Sequence, residues 1–397
     1  MPKFFNRQIL KQSLIALTFD LGGIFSGRIM ITLLPLFQSA PWILALFPPL
    51  LTVRGNIGGI FAGKLGTMLH IGEAEPRLRD NTPEFYSFIR AIMTLTFVDT
   101  IGIGFLAFAV NSFFGNASFE NFQFFVTVPV LTCLLAMSIA IPIATFFGIE
   151  IFKRGLDPDV ILYPMMSTVD DILVTVCYAV VVGAALIPGV PVVMGILTIG
   201  LGTIFVTILV RGKNKRIFRK TMMEGVPIVL FASLSGIFGG VGLASLRGEI
   251  ERRPSLLLLY PALIDTLGDV GSILGAMETT KLALGTVASL KETFKATLTD
   301  MVSIEIASAS MHTMFGVVAF SLGRAIGLNP DLLSLITISL TVNFIGFFFI
   351  SFLSLAVATQ TFKRGLDPDN FVIPLVASVS DIGATLALMA AITIVGV

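Results

Sequence analysis

"FKRGLDPD" stands at residues 152–159 and again at 362–369, and the two copies run on as "VILYPMMSTVDDIL" and "NFVIPLVASVSDIG". Eight consecutive identities 210 positions apart are hard to attribute to chance, so the chain reads as a duplication. Other segments agree. "FPPLLTVRGNIGGIFAGKLGTMLHIG" (47–72) aligns with "YPALIDTLGDVGSILGAMETTKLALG" (260–285) at a shift of 213, and "GGIFSG" (22–27) with "SGIFGG" (235–240) at the same shift. The change from 213 to 210 is a loop-sized deletion.

The duplicated material is membrane material. Hydrophobic residues make up 55% of the 397 and charged residues 13%, against about 25% charged in a soluble domain; mean hydropathy is +0.93. Apolar runs of the about 20 residues that cross a bilayer as a helix follow one another with few gaps. Breakers place eleven spans near 12–36, 41–70, 87–111, 122–151, 158–187, 190–210, 224–246, 255–286, 294–322, 332–361 and 368–395. The longest polar stretches, "GEAEPRLRDNTPE" (72–84) and "RGKNKRIFRKTMMEG" (211–225), are too short for a soluble domain. The expectation is an all-α integral membrane protein with a first five-helix repeat at 1–188, a linking helix and basic loop at 189–221, and a second repeat at 222–397.

Charge bounds the rest. A net charge of +1 gives no reason to propose nucleic acid. The basic N-terminus leads into a long span holding Asp20 and Arg28, which argues against a cleaved signal peptide. Cys133 and Cys177 sit in apolar segments and read as packing residues. With the N-terminus cytoplasmic, 19 of the 26 Lys and Arg fall on the cytoplasmic side, so a plasma-membrane protein with an external C-terminus is expected. Five helices would leave a second copy inverted. The extra span at 190–210 returns the chain to the cytoplasm, making the copies parallel and related by a pseudo-twofold axis, with any site on it lined from both halves.

Intramembrane acids cost roughly 2.5–3.5 kcal/mol each and mark partners or ion pathways. Asp171 and Asp381 each follow the first Asp of their "GLDPD" by fourteen residues, about 21 Å along a helix. Thr168 and Ser167 precede Asp171 by three and four residues, Ser378 precedes Asp381 by three, and Pro164 and Pro374 precede by seven, all on one helical face. Each Pro frees a carbonyl, at Val160 and Asn370. Asn56 and Asp269 occupy matching positions on the second helices, beside small-residue stripes (Gly55, Gly59, Gly63; Gly268, Ser272, Ala276) that read as close helix packing. Asp170 adjoins Asp171, and Asp99, Asp265 and Asp300 are secondary candidates for metal or coupling; Asp20 is left outside this set. Asp157 and Asp367 read as helix N-caps with Pro158 and Pro368 at the first helical position, and His312 as a hydrogen-bonded core residue. Oxygen donors without thiolates or histidine clusters suit Mg²⁺. "GGIFAGKL" (58–65) mimics a phosphate-binding loop, but Leu65 replaces the required hydroxyl, so no nucleotide is expected.

"PPLLTVRGNIGGIFAGKLGTMLHIG" and the paired "GLDPD-x5-P-x6-D" segments resemble the membrane domain of MgtE magnesium transporters, and more closely the duplicated solute carrier family 41. The resemblance covers nearly the whole chain apart from the sixth span. It implies a pore along the repeat interface lined by second and fifth helices, with Asp171 and Asp381 binding the ion and Asn56 and Asp269 at the Gly-Asn position. The cytoplasmic regulatory domains of MgtE proteins have no counterpart here, so that regulation is not expected. The halves also differ: Asp170 faces Ser380 in the alignment, and Thr52 and Asn56 face Asp265 and Asp269. Copy one alone has Arg54, which would oppose cations unless paired with an acid such as Asp170 or Asp265. The expected activity is conduction of Mg²⁺ or a similar divalent ion by one chain acting as a pseudo-dimer, with Na⁺-coupled exchange as the alternative. An intramembrane enzyme using the Asp pair is remote, because no substrate-recognition motif accompanies it.

Overall fold

The structure, a computed structural model, describes residues 5–115, 117–155, 158–212, 215–283, 290–364 and 369–395. All regular structure among them is helical: α1 (Arg7–Leu17), α2 (Gly22–Ile31), α3 (Trp42–Ile71), α4 (Pro83–Phe113), α5 (Phe122–Lys153), α6 (Pro158–Ala185), α7 (Val190–Gly212), α8 (Arg216–Ser245), α9 (Arg247–Arg252), α10 (Ser255–Ala283), α11 (Leu290–Ala325), α12 (Leu332–Lys363) and α13 (Asp369–Val395). Among the described residues eleven segments are long and apolar enough to cross a bilayer, matching the expected spans. The capping roles expected of Asp157, Asp367 and Pro368 fall outside the described residues, as do the side chains of Pro158, Pro164 and Pro374.

The chain packs as two compact units, a continuous one (Pro35–Ser245) and a split one (Met1–Leu34 with Leu246–Val397). These are not the sequence repeats themselves. Each unit joins the first helix of one repeat to the second through fifth helices of the other. Glycine is the local reason. In the split unit a Cβ on Gly27 would overlap the Leu257 carbonyl, and one on Gly23 would lie 2.8 Å from Ala262 Cα. In the continuous unit a Cβ on Gly240 would overlap the Ala45 carbonyl, and one on Gly236 would lie 2.9 Å from Pro49 Cα. The same backbone-to-backbone contact thus recurs at matching positions, and only Gly permits it.

The first span is not one helix. Asn6 caps α1 by accepting from the Gln8 and Ile9 amides, and a single 3₁₀ turn at Phe19–Leu21 then separates α1 from α2. Asp20 sits in that turn and is buried. α3, by contrast, runs unbroken through Pro48 and Pro49 and through "GGIFAGKL", so no phosphate-binding loop exists there. The continuous unit's core holds fully buried Trp42, stacked on Phe124 at 4.9 Å, and Tyr178, whose hydroxyl donates to the Ile43 carbonyl (2.6 Å). α7 rests on α4 and α5 through Phe205, which packs with Val130 and Leu134 and stacks on Phe97 at 5.0 Å. Its Val192, Ile196 and Ile199 point outward, the surface a lipid-facing helix presents. Cys133 and Cys177 are buried free thiols.

Candidate ion site

In the continuous unit α3 and α6 bring Arg54 against Asp171. The guanidinium and carboxylate form an ion pair, at 5% and 0% exposure. Ser167 Oγ, one helical turn before Asp171 and on the same face, accepts from Arg54 Nη1 (3.0 Å). Arg54 acts electrostatically on Asp170, one of the acids expected to pair with it, and its ion pair with Asp171 is an addition to that expectation. A one-residue step turns a helix by about 100°, which brings Asp170 toward Gly58, 3.0 Å from where a Cβ there would sit, while it stays within electrostatic reach of the guanidinium. Asp170 is 5% exposed, and its Oδ1 has no hydrogen-bond partner among the described residues. Thr168 lies beside this group, half-buried and with a partner of its own.

Asn56 follows Arg54 by two residues on α3, and its Nδ2 is buried without a hydrogen-bond partner among the described residues. Gly55 and Gly63 of the stripe beside it depart from the expectation of close packing, since a Cβ on either would meet no atom within 4 Å, whereas in the second copy a Cβ on Gly268 would lie 3.1 Å from Ser380 Oγ. The tight contacts belong to Gly236 and Gly240 instead, so Gly55 and Gly63 leave open space on this side of α3. Deeper in the unit Asp99 of α4 is fully buried, and its Oδ2 accepts from Ser233 Oγ of α8 (3.2 Å). Ser233 stands at the position aligned with Asp20.

The split unit repeats the frame with different chemistry. Asp381 is 8% exposed on α13, and Thr385 donates to its carbonyl (2.9 Å) as Thr175 does to that of Asp171 (2.7 Å). The position aligned with Arg54 is Leu267. Tyr260 Oη, 2.8 Å from Thr385 Oγ1, is close enough to Asp381 to feel its charge. Ser378 Oγ is buried without a hydrogen-bond partner among the described residues. Asp269 of α10 hydrogen-bonds with Asp20, and Asp265 acts on Asp20 electrostatically. Thr266 Oγ1 also donates to Asp20 Oδ2 (2.6 Å). Asp300 stands apart from this group, paired with Lys281 (2.9 Å), which also donates to Thr297 Oγ1. His312 is fully buried with Nδ1 on the Ser308 carbonyl (3.0 Å), the core role expected of it.

The acids are therefore unequal. Arg54 offsets one carboxylate in the continuous unit, while the split unit gathers Asp20, Asp265 and Asp269 where the other has Ser233, Thr52 and Asn56. Among the described residues no three His, Cys, Asp or Glu side chains form a ready cage for a bare metal ion. Scattered carboxylates, hydroxyls and an amide suit instead an ion that keeps part of its water shell, as Mg²⁺ does. Asp20 is the member that sequence reasoning left aside. The available signal was the "DLGG" sequence, whose helix break turns an acid inward toward α10.

The comparisons agree with this chemistry. The MgtE model, described as "Divalent cation transporter", matches residues 47–181 and 260–391, about two thirds of the chain. Solute carrier family 41 member 3 of Rattus norvegicus is 27% identical over 160 residues, covering 38% of this chain and 34% of that protein. The Mus musculus protein of the same name is 25% identical over 146 residues, covering 35% and 28%. The alignments thus span about a third of the length of these relatives. No solved structure matches.

Proposed function

Because this chain belongs to the MgtE family of divalent cation transporters, we propose that it moves Mg²⁺ or a similar divalent cation across a membrane, along a pathway served by the carboxylates of its fifth and second repeat helices. The family is one of transporters and not of enzymes. The observation that carries the reading is the recurrence of a deeply buried Asp at one place in both copies, Asp171 and Asp381. Near them Asn56 Nδ2, Asp170 Oδ1 and Ser378 Oγ are buried polar atoms without hydrogen-bond partners among the described residues, the kind of group a passing hydrated ion engages.

In this reading Asp381 and Asp269 meet the ion directly, with Asp20 and Asp265 adding negative charge. Asp171 shares its charge with Arg54, and Asp170, Thr168 and Asn56 line the same stretch. Asp99 and Asp300, the latter paired with Lys281, have secondary roles. One chain holding both copies of the repeat is the functional unit, inserted in the plasma membrane with its N-terminus cytoplasmic. An inside-negative potential of 100 mV drives a divalent ion inward by about 4.6 kcal/mol, so conduction needs no other energy source.

One observation favours a second reading. The acid-rich split unit and the Arg54-neutralised continuous unit are chemically different half-sites, which suits exchange of Mg²⁺ for Na⁺. Flux into proteoliposomes tests both. With a fixed potential, Mg²⁺ entry that ignores an opposing Na⁺ gradient and is lost in Asp381→Asn supports conduction. Entry that requires the Na⁺ gradient supports exchange. Unchanged flux in Asp381→Asn refutes the ion site.

A further inference from the structure

Apart from the carboxylates above, α11 and α12 hold a second ionisable centre. Glu305 lies inside the candidate membrane span Phe294–Ala325 of α11, eleven residues from its start and twenty from its end. Its Oε1 accepts from Asn343 Nδ2 of α12 (2.8 Å), and Asn343 Oδ1 accepts from Ser308 Oγ (2.5 Å). Asn343 is 1% exposed and Ser308 fully buried, so the amide is fixed with its N–H toward the carboxyl group. The other oxygen, Oε2, has no hydrogen-bond partner among the described residues. Beside it a groove of about 410 Å³ is lined by Ala309 of α11 and by Thr337, Thr341 and Phe344 of α12. Phe344 is 62% exposed, so the groove opens on the outer, lipid-facing side of the helix pair.

We propose that Glu305 is a proton-binding site reached from this groove. An ionised carboxylate within a membrane span, with an oxygen that has no hydrogen-bond partner among the described residues, is costly, and something must neutralise it. Basic side chains do not. α12 carries no Asp, Glu, Lys, Arg or His before Lys363. On α11 the nearest titratable groups are Asp300, paired with Lys281 of α10, and His312, bonded to the Ser308 carbonyl. α10 also brings Glu278, which accepts from Thr297, and Asp265 and Asp269, which act on Asp20. α1 and α2 bring Arg7, Lys11 and Arg28, and no ion pair joins any of them to Glu305. A divalent ion fits less well than a proton, since Glu305 brings at most a single negative charge to this groove and the groove's other named lining side chains carry none. Asn343 presents its N–H to Glu305, and Thr341 Oγ1 donates to the Thr337 carbonyl (2.7 Å), which leaves the carboxyl group as the basic group at the groove. A proton needs only that group. The site stands independently of the ion pathway proposed above.

The test is labelling with dicyclohexylcarbodiimide, an apolar reagent that partitions into lipid and adds across its C=N bond to a protonated carboxyl group. The O-acylisourea formed rearranges to a stable N-acylurea, and the peptide gains the mass of one reagent molecule. Purified full-length protein in liposomes is labelled over a range of pH and mapped by mass spectrometry. The expected result is modification of Glu305 that falls about tenfold per pH unit above its midpoint, as for a single proton, and that excess Na⁺ or Mg²⁺ at constant pH leaves unchanged. Asn343→Leu, which removes the N–H that favours the ionised form, should move the midpoint to higher pH. Failure to label Glu305 in acid buffer, labelling independent of pH, or suppression by Na⁺ or Mg²⁺ at constant pH would overturn the proposal. The wild-type protein alone decides these three outcomes, whether or not Asn343→Leu folds.

Discussion

Replacing Arg54 by leucine, the residue at the aligned position 267, strips the fully buried Asp171 of its counter-charge. Removing one partner of a buried ion pair costs about 3–5 kcal/mol, because the other charge stays desolvated, whereas replacing both by neutral groups is often close to neutral. Arg54→Leu and Asp171→Asn should each destabilise by that amount and Arg54→Leu/Asp171→Asn by far less, a coupling of about 3 kcal/mol or more. With an unfolding entropy of about 2.1 cal/mol/K per residue, a loss of about 4 kcal/mol lowers Tm by roughly 5 °C if all 397 residues melt together. If Pro35–Ser245 melts alone, the drop is about 9 °C. Thermal unfolding in one detergent measures all four proteins. Flux gives a second reading of the same cycle. In Asp171→Asn the guanidinium loses its ion pair and keeps the electrostatic influence of Asp170, and at an effective dielectric of about 20 its charge repels a divalent ion about 8 Å away by at most about 4 kcal/mol. That slows Mg²⁺ entry by at most the order of a thousandfold and by at least about tenfold. The double variant should regain at least about tenfold of this loss, since relieving about 1.4 kcal/mol of barrier suffices. A double variant that melts no higher than the weaker single one, or an Asp171→Asn protein that conducts normally, would refute the assigned pairing and its consequence.

Other substitutions separate scaffold from pathway. Gly27→Ala and Gly240→Ala push a methyl group into the carbonyls of Leu257 and Ala45 and should lower Tm clearly. Gly55→Ala and Gly63→Ala meet nothing within 4 Å and should raise helix stability by roughly 0.5–1 kcal/mol, while reducing Mg²⁺ flux if that open face borders the ion's route. Asp20→Asn keeps an acceptor for Thr266 but removes a charge beside Asp265 and Asp269, so the protein should fold and half-saturate at higher Mg²⁺; an unchanged flux curve would place Asp20 outside the pathway.

Much of this protein was legible without coordinates. Span number follows from hydropathy and length, because a bilayer demands about 20 apolar residues per helix, and duplication follows from direct identity between copies. Both are properties of short contiguous stretches. That Asp171 and Asp381 sit on helices and are buried was legible as well, from a count of residues after the repeated "GLDPD". What stayed hidden depends on rotation and on partners distant in sequence. That Arg54 forms its ion pair with Asp171 turns on helix rotation, which spacing along one helix does not set against its neighbour. The glycines that allow close contact and those that leave space look alike in sequence, yet Gly27 lies on the Leu257 backbone and Gly63 on nothing. Asp20 meets Asp269 across 249 residues, and Glu305 meets Asn343 on the next helix. A polar side chain inside a membrane takes its meaning from the group it faces. That group is chosen by how whole helices pack, after hydropathy has already placed each of them in the bilayer.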